Sequence, residues 1–397
     1  MEKQKRQKHN RPLAREVLRN TIYNNLQKIV SSFGGIIFSI LAARMLKPEL
    51  FGVYGLTISI VSIIIAFSNL GFKEAITRWV AYALGRNDKK LVRSYFKILL
   101  KYNTMVILGI SLISFFLSDK IAEIFSIPLL SFSIKIMSVY IFLVGIYGII
   151  SSAFFGLRDF KDPAIFWIIF NIMRIVSMVL LVFMFSLSLL GVFMSLIVGV
   201  LSGLLFLFAV IWKKYLFLIA GKVKKIGREK KGELKNFIFH TASLSLTGII
   251  FTNIDVIMIG YFLGSVEVGL YKVAQSMIIT LAGIGGLSVV IFPVLSSLDS
   301  NKFREVFKKT FRYSAIISFP MLFGTIWAAG PLIKILYGKE YVGATLPLLV
   351  LSFMLITSTT LGLFDTIFVS RGIPKYSAII KYISLTLNIF LNYLLIT

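Results

Sequence analysis

Eleven apolar segments of about twenty residues recur along the chain, and that length is what an α-helix needs to cross a hydrocarbon core roughly 30 Å thick. Their approximate limits are 26–46, 53–72, 98–117, 132–155, 164–186 and 189–212, then 237–263, 270–296, 313–336, 344–369 and 376–396. Inside a bilayer each backbone N–H and C=O must be paired within the protein, so segments of this kind become helices. The expected fold class is an all-α polytopic membrane protein. Composition agrees: 57% of the 397 residues are hydrophobic and 15% are charged, against about 25% charged in soluble domains.

Residues 213–235 interrupt the apolar pattern most strongly. Lys213, Lys214, Lys222, Lys224, Lys225, Arg228, Lys230, Lys231 and Lys235 lie too close together there to share a hydrocarbon core. The stretch divides the chain into a basic tail at 1–25, a first lobe of six spans at 26–212, a hinge loop at 213–235 and a second lobe of five spans at 236–397. Basic residues of the tail, of 81–97, 156–163, 297–312 and the hinge, with Arg371 and Lys375, all fall on one side of this arrangement. The opposite turns hold little beyond Lys47, Lys120 and Lys339, so the positive-inside rule puts the N-terminus in the cytoplasm. The same distribution accounts for the net charge of +26 as topology, and nucleic acid is not an expected partner.

Several chemistries are disfavoured by what the chain lacks. Without cysteine there are no disulfides, thiolate metal sites or thiol nucleophiles, and His9 and His240 are isolated, so no metal centre is expected. No GxxxxGK[ST] loop is present for direct use of ATP. The outer connections are short, the longest being about 118–131, which leaves no external domain for a glycan polymerase or ligase. The last span ends at Thr397 and makes the number of spans odd, so the expectation is that the final helix of the second lobe is missing.

An internal repeat relates the two lobes. A shift of 217 positions carries ARMLKPELFGVYG, from Ala43, onto GYFLGSVEVGLYK, from Gly260, with Leu46 on Leu263, Gly52 on Gly269 and Tyr54 on Tyr271. The same shift carries Asn24, Lys28, Ser31, Gly35 and Phe38 onto Thr241, Ser245, Gly248, Thr252 and Asp255, one helix face in each case, although Phe38 breaks the match at Asp255. Small residues on such a face also serve close helix packing. Two similar halves, both starting on the cytoplasmic side, predict a parallel repeat about an axis along the membrane normal, with the site at the interface between repeats.

Ionisable residues within spans mark candidate sites. Arg174 lies about ten residues into the fifth span and shares a face with Asn171 and Ser177, which predicts a water-lined cavity; a structural ion pair is the plainer reading. Asp255 could bind a coupling cation, take up a proton or pair with a basic residue, and Asp365 is a second acidic candidate. Arg44 closes the first span, as a cavity residue or an interface anchor. Glu74 and Arg78, four apart, could satisfy each other or leave Arg78 to the cavity. Lys135, Lys272 and Lys334 lie near span ends, where snorkelling is expected. A cavity lined by Arg174, Arg78 and Lys28 would favour an anionic substrate such as a phosphate.

Beyond the repeat, ARMLKPELFGVYG, NLGFKEAITRWVA from Asn69, FFGLRDFKDPAIF from Phe154, DVIMIGYFLGSVEVGLYKVA from Asp255 and GPLIKILYGKEYVGA from Gly330 resemble the Wzx-type polysaccharide-biosynthesis flippases. That family belongs to a superfamily that also holds multidrug and toxin extrusion transporters and peptidoglycan-precursor flippases. The resemblance implies two six-helix lobes in a V around a central cavity. It implies export of a polyprenyl-phosphate-linked oligosaccharide from the inner to the outer leaflet; beside it, alternating access driven by a proton or sodium gradient, no bound cofactor and the cell membrane of a prokaryote are expected. Basic cavity residues, carried over as Arg44, Arg78 and Arg174, would hold the phosphate and glycan head. Membrane lipids, a glycan polymerase and glycosyltransferases are the implied partners. The competing expectations are a cation-coupled multidrug exporter of the same superfamily, a membrane glycan polymerase or ligase, and a structural partner for glycan-assembly enzymes.

Overall fold

The structure is a computed structural model describing residues 2–69, 71–224, 226–285, 300–358, 362–364, 368 and 374–396. Among these residues there are helices and turns and no strand. The first helix, α1 (Glu2–Asn69), holds two expected spans in two arms that meet at Lys47, where the backbone turns to φ 60°. Lys47 precedes Pro48, whose ring disfavours helical geometry at the residue before it and suits the first position of a new helix. The sequence thus writes its own corner.

After α2 (Phe72–Gly85) come α3 (Lys89–Phe125), α4 (Pro128–Gly156), α5 (Lys161–Val179), which continues through a π-turn at Leu180–Met184, and α6 (Ser188–Lys214). The second half contains α7 (Arg228–Phe262), α8 (Ser265–Gly285), α9 (Ser300–Leu336), α10 (Thr345–Ser352) and α11 (Pro374–Ile396). Among the described residues seven helices are long and apolar enough to cross a membrane, and the first, Ile22–Asn69, folds two spans into one. The chain is a multi-pass membrane protein.

Two connections differ from expectation. The presumed outer loop at 118–131 is almost wholly helical, because α3 runs on to Phe125 and α4 starts at Pro128; Ser126, at φ 53°, makes the turn. Much of 81–97 is helical as well, and α2 lays one apolar face, with Ile76, Trp79 and Val80, into a core shared with Tyr95 and Phe96 of α3. Of the stretch 213–235, only residues between Lys214 and Arg228 lie outside the two long helices. Arg93 of α3 fastens part of it, donating to the carbonyl oxygens of Phe217 at 2.5 Å and Lys222 at 2.6 Å, and Lys224 pairs with Asp88 at 2.9 Å.

The two halves meet most closely where the second arm of α1 crosses α8. A Cβ on Gly52 would stand 1.6 Å from the Ser265 carbonyl oxygen, and one on Gly269 would stand 2.2 Å from the Pro48 carbonyl oxygen. Pro48 and Ser265 are themselves 217 positions apart, as are Gly52 and Gly269, so the contact is reciprocal, as a two-fold relation demands. Lys47 and Gly264, again 217 apart, both take positive φ at the corner preceding these helices. Backbone this close leaves no room for a methyl group. Gly52→Ala is expected to destabilise the protein by about 3 kcal/mol through overpacking, read as a drop in thermal unfolding temperature in detergent. Gly109→Ala, where nothing lies within 4 Å, is the control and should be neutral or slightly stabilising. Equal stability of the Gly52 variant and wild type would disprove the crossing.

Candidate functional site

A cavity of about 260 Å³ lies between the halves, walled by both arms of α1, by α5 and by α8. Ser31, Ser32, Gly35 and Ser39 form its stripe on the first arm, at the three- and four-residue spacing of one helix face. Arg174 enters from α5 and Lys272 from α8, so each half contributes a cation.

The Arg174 guanidinium is held on three sides. Nη2 donates to Asn171 Oδ1 at 2.6 Å, and the Phe38 and Phe170 rings each lie 4.7 Å from the guanidinium carbon. Asn171 is itself fixed by donating to the Trp167 carbonyl oxygen at 2.7 Å. Gly34 makes the approach of α1 feasible, since a Cβ there would stand 2.0 Å from Asn171 Oδ1. The Arg174 Nε is buried and has no hydrogen-bond partner among the described residues. The guanidinium is thus stacked between two rings, with one N–H donor unused among the described residues.

Lys272 departs from expectation. Its stem crosses α1 at Gly55, where a Cβ would stand 2.6 Å from Lys272 Cγ, and its Nζ donates to Gln275 Oε1 at 2.9 Å instead of snorkelling. Gln275 in turn donates to the Thr252 carbonyl oxygen at 3.3 Å.

Next to this cavity, within electrostatic reach of Lys272, Asp255 of α7 gathers three neutral donors. Tyr271 donates to Oδ2 at 2.9 Å, while Asn388 and Asn392 of α11 donate to Oδ1 at 3.0 and 2.7 Å. The repeat explains the arrangement. Shifting by 217 places Asp255 on Phe38, Tyr271 on Tyr54 and Asn388 on Asn171. In the first half Phe38 packs against Tyr54 at a ring separation of 6.2 Å, and Asn171 holds the arginine stacked on Phe38. One scaffold carries a cation in the first half and a carboxylate in the second.

The other candidates lie elsewhere. Arg44 does not line the cavity: it donates to the carbonyl oxygens of Leu336, at 2.7 Å, and Ile335, capping the C-terminal end of α9. Beside it Tyr341 donates to the Ala43 carbonyl oxygen at 2.8 Å, so this corner joins the two halves. Arg78 is exposed on α2 with its guanidinium 4.6 Å from the Phe237 ring of α7, and Glu74 Oε2, its expected partner, is buried with no hydrogen bond among the described residues. Lys28 is exposed one turn before Ser32, on the stripe that leads into the cavity. Asp365 falls outside the described residues. Sequence reasoning missed Lys272, Gln275, Asn388 and Asn392. Applying the repeat shift to Asn171 would have found Asn388.

Comparison with known proteins extends these observations. Residues 17–299, well over half of the chain, match the family described as "Polysaccharide biosynthesis protein". Over 183 residues the chain is 26% identical to the probable low-salt glycan biosynthesis flippase Agl15 of Haloferax volcanii, covering 45% of this chain and 39% of that protein. Over 124 residues it is 27% identical to the teichuronic acid biosynthesis protein TuaB of Bacillus subtilis, covering 30% of this chain and 26% of that protein. The chain therefore aligns with less than half the length of either relative. Among solved structures, a multidrug-resistance MATE family transporter of the MOP superfamily in an inward-facing conformation superposes with a TM-score of 0.69 at 14% identity, over 89% of this chain and 83% of that one. The lipid II flippase MurJ in an inward closed conformation gives 0.67 at 17% identity, over 90% and 76%. These likenesses establish the fold.

Proposed function

Because this chain belongs to the polysaccharide biosynthesis protein family, we propose that it is a membrane transporter that flips a polyprenyl-phosphate-linked oligosaccharide from the inner to the outer leaflet. The single observation that carries this reading is the pair of cations, Arg174 and Lys272, drawn from the two halves into one cavity. A phosphate or diphosphate bridging them would be bound by both lobes at once, and rocking of residues 26–212 against 236–397 would expose it alternately to the two sides. The oligosaccharide then meets the serine stripe of α1, and the polyprenyl tail stays in the bilayer. The N-terminus lies in the cytoplasm, in keeping with the basic residues that crowd the same side.

Coupling to an ion gradient is assigned to Asp255. An amide turned end for end offers Oδ1 where Nδ2 stood, so Asn388 and Asn392 can switch from donating to the carboxylate to ligating a sodium ion beside it. Proton uptake by the same carboxylate would serve the same purpose. The fold likeness to multidrug transporters favours one competing cargo, a cationic drug, but two cavity cations oppose it. The short outer connections read from the sequence, and the tight turn at Ser126, favour a carrier over a glycan polymerase, and such enzymes, with glycosyltransferases, are better seen as partners.

The test is transfer of a labelled lipid-linked oligosaccharide across proteoliposomes, scored as accessibility of the head group on the opposite face. Gradient-stimulated transfer beyond that of empty vesicles is expected. Folded protein that moves no lipid under either a proton or a sodium gradient, but lowers drug susceptibility in cells, would replace this reading with the drug exporter.

A further inference from the structure

A second cavity, of about 510 Å³ and mainly polar, opens at the end of the first half where basic residues crowd. It is framed by Arg19 and Tyr23 of α1, by the link between α4 and α5 and by the end of α6. Its one carboxylate is already engaged. Asp159 accepts from Lys214 and from Tyr215, the latter at 2.6 Å, and Lys214 also reaches Asp162 at 3.2 Å. Burial works against the Asp159 carboxylate, but the hydrogen bonds from Lys214 and Tyr215 outweigh it and hold the group below the usual carboxylate range. Lys214 is thereby neutralised. Arg19, Arg158 and Lys161 bring their three charges to the cavity wall, and among the described residues no further carboxylate lines it.

Local structure fixes this arrangement. Arg158 takes a left-handed backbone, φ 61°, a conformation that costs an L residue about 1–2 kcal/mol. The turn directs the Arg158 carbonyl oxygen to Asn20, which donates to it at 3.4 Å and ties α1 to the link. Just beyond Arg19 on the same helix, Ile22 and Leu26 are 63% and 40% exposed at the start of the membrane-spanning region. A polar, cationic cup therefore borders directly on lipid-facing surface.

We propose that this cup is a resident binding site for the phosphate headgroup of an anionic phospholipid, with its acyl chains lying along Ile22 and Leu26. Basic pockets between membrane helices on the cytoplasmic side suit such headgroups, because guanidinium and ammonium donors pair with phosphate oxygens where water is scarce. Every wall of the cup comes from α1, the link between α4 and α5 and the end of α6, so a lipid held there moves with the helices of the first half and is not carried across by rocking. The site needs only a membrane, and stands or falls apart from the transport reading.

The test uses the full chain, delipidated in detergent and then titrated with phosphatidylglycerol or phosphatidylcholine, with binding read by native mass spectrometry and by thermal unfolding. Phosphatidylglycerol should bind and stabilise in preference to phosphatidylcholine. At about 1 kcal/mol per basic residue, the combined variant Arg19→Gln, Arg158→Gln, Lys161→Gln should lose roughly 100-fold in affinity. Lys89→Gln with Lys90→Gln and Lys97→Gln, on α3, should keep wild-type affinity. Should the first triple variant fail to fold, Arg19→Gln alone, at an exposed position, must still lose about fivefold. Undiminished phosphatidylglycerol binding in these variants would overturn the assignment. So would displacement by inorganic phosphate, which would mark a plain anion site, or by lipid-linked oligosaccharide, which would mark a loading station for cargo.

Discussion

Arg174→Ala is expected to lower the rate of lipid-linked oligosaccharide transfer in proteoliposomes by at least about 100-fold while leaving the protein folded and inserted. The size follows from charge-assisted hydrogen bonds to a phosphate, each worth about 1.5–3 kcal/mol in a poorly hydrated site. The sign of the stability change is the sharper part. Among the described residues Arg174 has one side-chain hydrogen bond, to Asn171, two ring contacts and a buried Nε without a partner. A buried charge satisfied that poorly carries a desolvation cost that its contacts barely repay, so removing it should leave the unfolding temperature nearly unchanged or slightly higher. A residue kept for packing would behave the other way, losing stability and transport together. Arg174→Lys separates charge from shape: ammonium keeps the charge but forfeits the planar fork and the stacking between Phe38 and Phe170, so partial transport is expected. Wild-type transfer by the alanine variant would remove Arg174 from the mechanism.

The reason Arg174 could be read from the sequence while Arg44 and Arg78 could not is one of depth and direction. About ten residues into a twenty-residue span, Arg174 has no route to either interface, so its side chain must find an interior partner, and Asn171 at spacing three supplied it. Arg44 and Arg78 stand near span ends, where a long side chain can turn toward a helix terminus or an aromatic ring as easily as toward a cavity. Arg44 caps α9, which lies almost three hundred positions away in sequence. Lys272 failed in the opposite sense. The eighth span was expected to start near 270, which would leave Lys272 at its edge, but α8 starts at Ser265 and crosses α1 at Gly55, so the lysine is carried inside. Asn388 and Asn392 were overlooked because neutral amides barely disturb an apolar pattern. The repeat held better than any single site: the corner at Lys47 and Gly264 and the reciprocal packing of Gly52 and Gly269 are backbone matters, and a glycine or a proline announces those in sequence.

Asp255→Asn should uncouple transport from the ion gradient. The substitution preserves volume and can still accept from Tyr271 through one oxygen, so the protein should fold, but it removes the only carboxylate among Asp255, Tyr271, Asn388 and Asn392. With no charge to attract sodium or to take up a proton, the stimulation of transfer by an imposed gradient should vanish, leaving a slow, gradient-independent rate. Binding of the lipid-linked oligosaccharide should persist, because Arg174 and Lys272 remain in the cavity. Asp255→Ala should be worse in a different way. It strands the donors of Tyr271, Asn388 and Asn392, each at about 1–3 kcal/mol, and loosens α11 from α7, so the loss of activity would come with a loss of stability. The pair of variants distinguishes a coupling carboxylate from a structural one. If Asp255→Asn still responds to the gradient as wild type does, Asp255 only ties α7 to α8 and α11, and coupling must be sought elsewhere. If the response is lost in both variants but stability only in the alanine, the carboxylate's charge drives transport and its hydrogen bonds hold the second half together.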